Sequence, residues 1–317
     1  MIVSSQLPTT ILRPGICWEE PECLLCGGER RSPVLEAPDM SRGSPGLWFA
    51  VVRCDECGLH FTSPRPDAAT IGQFYTENYG PHQGIARKPT RPVRHAGFAK
   101  LLGRPCLERR SLPWHGDGRL LDFGCGRGSF LDRMRGQGWQ VVGLDNSHAT
   151  VERVRAELGV PVLCGTLPHA ELEPESFDVI TMWHSLEHVH EPLAALQAAH
   201  GLLSRGGRLV IAVPNFDSAP ARRFGPAWFG LDLPRHLTHF TRPTMRRMLE
   251  QSGFAVTSLR LVRHSDWLRS SAKLSAALGR SNWRQRLLTN KRVAKLVTLM
   301  QFLRGQSDCM LATAEKV

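Results

Sequence analysis

Residues 120–131 read LLDFGCGRGSFL, and this stretch decides the fold. An apolar run carrying Asp122 leads into three glycines, Gly124, Gly126 and Gly128, and the amphipathic stretch 129–136 follows. Glycines permit a tight turn and let a ligand lie against bare backbone, beside the positive end of a helix. The next apolar run, VVGLD, ends at Asp145. A carboxylate at the C-terminal edge of a strand, one strand after such a turn, suits two vicinal ribose hydroxyls. The nearest competing pattern is the dinucleotide fingerprint G-x-G-x-x-G. Here the third glycine comes one residue early, Ser129 takes its place, and an acid two residues before the first glycine is foreign to that pattern.

The same rhythm continues outward. RLLDFG, QVVGLD, FDVITMW, GRLVIAVPN, FAVTSLRLV and CMLATA read as strands. The stretches 129–136, 147–158 and 192–203 read as helices, and TRPTMRRMLEQSG carries Pro243 early and Gly253 just past its end, the punctuation of another. Alternation of buried strands and amphipathic helices predicts an α/β fold, a mostly parallel sheet with helices on both sides.

In combination, the Asp122–Gly128 turn, Asp145, FDVITMWHSLEHVHEP (177–192) and LLSRGGRLVIAVPN (202–215) resemble the motifs of class I S-adenosylmethionine-dependent methyltransferases over about residues 119–262. That resemblance implies a Rossmann-like, mostly parallel seven-stranded sheet flanked by helices, with S-adenosyl-L-methionine as cofactor. It implies cofactor-binding roles for Asp122, Gly124, Gly126, Gly128 and Asp145, with Asn146 near adenine and Trp183 and His184 against the methionine arm. Thr166, beside Gly165, falls where the family's third motif often has an acid, which this sequence lacks.

Ahead of this domain stand Cys23-x2-Cys26 and Cys54-x2-Cys57, each pair followed by a glycine, with a β-like run, LWFAVVRC, between them. The spacing is that of a four-cysteine zinc ribbon, and four thiolates leave the metal no open position, so the Zn2+ would be structural. Redox pairs and unrelated cysteines are the alternatives. A ribbon ending in CGLHFTSPRP and then a methyltransferase domain resembles a broad bacterial group, many of whose members are similar to quinone or sugar O-methyltransferases. The expected organisation is a loose tail (1–20), the ribbon (21–66), a helical linker or lid (67–118) and the methyltransferase domain (119–317). That domain carries an insertion at 215–240 and a basic helical segment at 263–305. Tyr75 and Tyr79, four apart in the linker, are expected to pack in the core.

Methyl transfer from a sulfonium is an in-line displacement. The protein must place the acceptor about 3 Å from the methyl carbon and, for a hydroxyl, remove a proton. Histidine suits the second task. His236 and His239, in PRHLTHFT, are the favoured bases, with His188 a third candidate that also fits a structural role. The expected acceptor is a small molecule, a glycan or a lipid-linked compound.

The net charge of +11 is concentrated: between Arg260 and Arg304 there are eleven Lys or Arg and one acid, Asp266. A solvated basic helix face explains this, and so does docking on anionic lipid. RNA methylation, with ribbon and basic segment gripping phosphates, is an alternative, and a non-catalytic cofactor-binding adaptor is another. No stretch resembles a secretory signal or a membrane span, so the protein is expected in the cytoplasm, with peripheral contact at the inner membrane surface.

Overall fold

A computed structural model describes residues 15–39, 46–75 and 111–317. Tyr79 and most of the expected helical linker lie outside these residues. The N-terminal part forms short strands β1 (Trp18–Glu19), β2 (Arg31–Pro38), β3 (Trp48–Cys54), β4 (His60–Thr62) and β5 (Arg65–Pro66). The alternation expected after the glycine turn follows: β6 (Arg119–Phe123), α1 (Ser129–Arg135), β7 (Gln140–Asp145), α2 (His148–Leu158), β8 (Val162–Cys164), β9 (Phe177–Trp183), α3 (Pro192–Leu202) and β10 (Leu203–Pro214). Then come α4 (Ala219–Phe224), β11 (Thr238–His239), α5 (Arg242–Gln251), β12 (Phe254–Val262), α6 (Ser265–Ala277), α7 (Trp283–Leu287), α8 (Lys291–Leu303) and β13 (Cys309–Lys316).

Local chemistry sets these boundaries. Gly128, in the left-handed conformation, opens α1. The Ser147 hydroxyl accepts the Thr150 N–H at the start of α2, and left-handed Gly159 ends it. Thr241 and Thr244 form a reciprocal capping box on α5, with Pro243 in the first turn. Every residue of β9 is buried, as a central strand covered on both faces requires.

The large sheet has seven strands in the order β12-β13-β10-β9-β6-β7-β8. Among the described residues only β13 runs against the others, lying between β10 and β12. The chain leaves β6 toward β7 and β8, then crosses back to β9 and β10. The C-terminal ends of β6 and β9 are therefore the switch point at which open α/β sheets bind ligands. The fold matches the seven-stranded, Rossmann-like expectation.

A second sheet, β11-β4-β3-β2, is antiparallel. Its fourth strand comes from the 215–240 insertion: Thr238 pairs with Phe61 and His239 with His60. The N-terminal part also shares its cores with the rest. Leu25, Val52 and Phe61 pack in one cluster with Ile180 and Ile211 of the large sheet. Phe49 and Phe74 pack in another with Trp228, Leu268 and Ala294. Joint burial of this kind, at roughly 1.5–3 kcal/mol per large apolar side chain, ties the small sheet to the insertion and to the C-terminal helices.

Candidate active site

The glycine turn sits at the switch point. Gly124 and Cys125 donate their N–H groups to the Leu144 carbonyl on β7. At Gly124 the backbone is left-handed (φ 71°), and a Cβ there would lie 2.4 Å from the Ser185 Cβ. Asp145 holds the turn open: one carboxylate oxygen accepts the Gly126 N–H at 2.8 Å, the other the Ser147 N–H at 3.0 Å. Each oxygen keeps a lone pair for a diol. Asp122 is buried and accepts the Thr181 hydroxyl at 2.6 Å, which braces β6 against β9. Asn146 and Thr166 stand exposed just beyond β7 and β8, at the same edge. Trp183 is buried edge-on to Phe130 with its indole N–H unpartnered among the described residues, and His184 follows it with φ 56°.

Across the switch point lies a histidine and carboxylate cluster. His236 Nδ1 is 2.9 Å from the Gly230 carbonyl. A carbonyl only accepts, so Nδ1 carries a proton, and in the neutral ring the lone pair is on Nε2. That Nε2 is 3.9 Å from an Asp232 oxygen and 4.0 Å from a Glu187 oxygen. Burial alone would raise the Glu187 carboxyl, but His184, His236 and His188 around it hold it below its usual range. His188 Nδ1 is 3.0 Å from both the Arg235 carbonyl and the Tyr75 hydroxyl, so it too donates from Nδ1. Burial, with His236 beside it acting in the same direction, brings His188 down to about 4, and it is neutral at pH 7. One ligand atom each of Glu187, His188 and His236 lie within 4.8 Å of one another.

A methyltransferase-domain family model matches residues 97–259, a little over half of the chain. The chain belongs to this methyltransferase family. It is 36% identical over 103 residues to the ubiquinone biosynthesis O-methyltransferase of Vibrio cholerae serotype O1, across 31% of this chain and 42% of that protein. To the protein of the same name from Xanthomonas euvesicatoria pv. vesicatoria it is 30% identical over 170 residues, across 50% of this chain and 71% of that one. The chain thus spans less than half the length of the first curated relatives it matches. Among solved structures, an S-adenosylmethionine-dependent methyltransferase from Mesorhizobium loti matches with a TM-score of 0.45 and 22% identity, over 64% of this chain and 93% of that one. The chain carries this family's methyltransferase domain, and the bare-backbone turn beside Asp145 fits a cofactor with a ribose diol.

In this methyltransferase His239 stands in β11, inside the small sheet. The Thr62 hydroxyl donates to the His236 carbonyl at 2.8 Å, so toward His239 Nε2, at 3.1 Å, its oxygen must accept. Burial drives His239 well below its usual range, and it stays neutral. It lies outside the cluster formed by Glu187, His188 and His236.

The methyltransferase brings its four cysteines together. Cys23 Sγ is 3.3 Å from Cys57 Sγ, and Cys26 Sγ 3.6 Å from Cys54 Sγ. Tetrahedral Zn–S bonds of about 2.3 Å set sulfurs roughly 3.8 Å apart, so the donor set and spacing fit zinc. Burial raises the Cys23 thiol strongly and the Cys57 thiol to about 11. At Cys54 burial also acts upward, but the N–H groups of Cys57 and Glu56 win and hold it at about 7. Four crowded sulfurs, ionised together, are what a cation would neutralise.

Three residues of the cluster escaped the sequence reading. Tyr75 was expected to pack in the core, yet its hydroxyl meets His188. Asp232 and Arg235 have no motif signature. Arg235, 2% exposed, bonds Asp232, the Phe74 carbonyl and, at 3.2 Å, the buried carboxylate of Asp39 at the end of β2. The available signal was an arginine between Leu233-Pro234 and a histidine, in a segment rich in tryptophan and glycine.

Proposed function

We propose that this methyltransferase methylates a hydroxyl group on a small-molecule, glycan or lipid-linked acceptor, with His236 as the general base. The observation that carries this reading is the placement of His236: Nδ1 is held by the Gly230 carbonyl, which turns Nε2 toward two carboxylates within about 4 Å. On accepting the acceptor's proton, the imidazolium is stabilised by Glu187 and Asp232 in a low-dielectric setting. His188, neutral and edge-on to the His236 ring at 4.6 Å, braces it. Bound S-adenosylmethionine supplies a methyl group on a positively charged sulfur whose departure needs no acid. Gly124, Gly126 and Gly128 with Asp145, Asn146 and Thr166 hold that cofactor, Trp183 lies at its methionine end, and Asp122 stiffens the turn. Cys23, Cys26, Cys54 and Cys57 hold a structural Zn2+.

A cavity of about 540 Å3 lined by Trp228, Phe229, Leu231 and Leu274 reaches Asp232 and Arg235, beside the proposed base. It supports an acceptor with an apolar body. A second observation bears on where that acceptor is met. Trp283 (67% exposed), Leu296 (60%) and Leu303 (70%) project from α7 and α8 among Arg284, Arg286, Lys291, Arg292 and Lys295. Apolar side chains in a basic field, at about 1 kcal/mol per cation, favour peripheral contact with an anionic membrane surface. No helix among the described residues is long and apolar enough to cross one.

The test is methyl labelling of cell-extract fractions with radiolabelled S-adenosylmethionine, with Asp145→Ala as the blank. Label in the lipid or small-molecule fraction is expected, and label confined to RNA would overturn the acceptor class. His236→Gln should lower transfer by about 10²–10⁴-fold while S-adenosylhomocysteine binds as before. Unchanged transfer would remove His236 as the base. For the membrane, Leu296→Asp with Leu303→Asp should abolish co-sedimentation with anionic vesicles, and unaltered partitioning sinks that contact.

A further inference from the structure

A second set of metal-ligating side chains stands at the same sheet edge, on the other flank of Glu187 from His236. His184 follows β9, His264 follows β12, and Cys309 opens β13. Because β13 runs against its neighbours, its first residue lies at the edge where β9 and β12 end. Three different elements thus deliver two imidazoles and one thiol to one place. One ring nitrogen of each histidine and the Cys309 sulfur all lie within 4.8 Å of one another.

Packing alone does not account for this arrangement. Trp267 stacks on His264 at 4.8 Å and lies 5.0 Å from the His184 ring, which fixes both rings. Yet His264 Nε2 is buried without a hydrogen bond among the described residues, while His184 Nδ1 faces the Glu187 carboxylate. A buried ring nitrogen left open is costly unless something binds it. His184 also holds the left-handed conformation, φ 56°, of the kind that collects at functional positions. Carboxylates flank the set: Glu187 Oε1 is 3.4 Å from His184 Nδ1, and Asp308, buried with one oxygen unpartnered, precedes Cys309.

We propose that His184, His264 and Cys309 bind a divalent zinc-class ion, separate from the ribbon site, with a fourth position left for an oxygen of water or of the acceptor. The donor set selects the ion: two imidazoles and a thiolate are borderline-soft, suited to Zn2+, whereas Mg2+ and Ca2+ demand oxygen ligands. Three protein ligands leave the fourth position open, unlike the closed ribbon. Zn–N bonds of about 2.0 Å and a Zn–S bond of about 2.3 Å need ligand atoms roughly 3.3–3.6 Å apart, so loading draws the set together by no more than about 1.5 Å. Glu187, facing His184 Nδ1, then serves as the outer carboxylate that orients a metal-binding histidine. The fourth position deepens the acceptor reading above and rests on it; binding of the ion does not.

The experiment is elemental analysis of the full chain after zinc loading and desalting. Two ions per chain are expected, falling to one in Cys309→Ser and in His264→Gln, and to one in the double variant Cys54→Ser/Cys57→Ser. Cobalt titration gives a second readout, since Cys309→Ser should remove a cobalt–thiolate absorption band that the ribbon double variant retains. His264→Gln, at a half-buried position, guards against misfolding of the buried Cys309 variant, and circular dichroism checks both. A single ion in the wild type that disappears with the ribbon cysteines overturns the proposal, as do two ions in both Cys309→Ser and His264→Gln. These readouts stand whatever the acceptor proves to be, whereas the labelling experiment fails separately if the acceptor class is wrong.

Discussion

On the side of the large sheet the cleft is lined by backbone; on the side of the small sheet it is lined by side chains. Gly124 and Gly126 present bare backbone, and Asp145 beside them is fixed by the N–H groups of Gly126 and Ser147. Opposite them, Thr62 bonds the backbone of His236, Tyr75 meets His188, and Asp39 meets Arg235, partners 174, 113 and 196 residues apart in the chain. A site made of backbone is specified locally and fails locally. A site made of distant side chains depends on the whole small sheet being in place.

The contrast predicts different failures. The largest effect is expected at Arg235→Met, which takes the guanidinium away from the buried Asp39 carboxylate and from Asp232; stability should fall by about 3–5 kcal/mol in denaturant unfolding. A loss under 1 kcal/mol would mean the two sheets are not coupled through this pair. Next comes Gly124→Ala, whose methyl would press on Ser185 at a positive φ. Strain of about 3 kcal/mol corresponds to about 100-fold weaker binding of S-adenosylhomocysteine, read by calorimetry, with the fold retained. Acid should then act mainly through the small-sheet side. Burial first, with Arg53 adding, brings His60 to about 4, and His188 lies at about 4 as well. Both sit below the value of 6.5 expected in the unfolded chain, so their neutral forms belong to the fold. That stability is complete above pH 6.5 and is lost as pH falls toward 4, at about 2 kcal/mol per histidine by pH 5. Melting at pH 7 and pH 5 measures it, and His60→Phe should flatten part of the fall. The smallest effect is Thr62→Val, which removes the hydroxyl's hydrogen bonds to the His236 carbonyl and His239 and should slow transfer about 10-fold without changing cofactor affinity. Equal losses in both quantities would merge the two sides of the cleft into one unit.

The same contrast governs what could be read from residues alone. Strands β6, β7, β9, β10, β12 and β13 are legible as apolar runs, and the capping of α2 and α5 as Ser147, Thr241 and Pro243. The seventh strand, β8, has three residues, too few to show a period. The two-residue β11 is invisible because its partner, β4, lies far upstream. The glycine turn, Asp145 and the cysteine pairs carry their chemistry in short spacings. Asp232, Arg235 and Tyr75 acquire theirs through tertiary packing, and no local period encodes that.

The placement of β13 has a consequence for how the protein is made. It is the last strand along the described chain, yet it lies inside the large sheet, hydrogen-bonded to β10 on one side and β12 on the other. On the ribosome, β10 and β12 emerge well before the strand that joins them, and until then each carries an open edge that can pair with another nascent chain. A message broken before Cys309 therefore yields a protein lacking an interior strand, with β12 unattached to the sheet. Such fragments should be marked for chaperones or proteases, whereas a chain that includes β13 closes both edges at once.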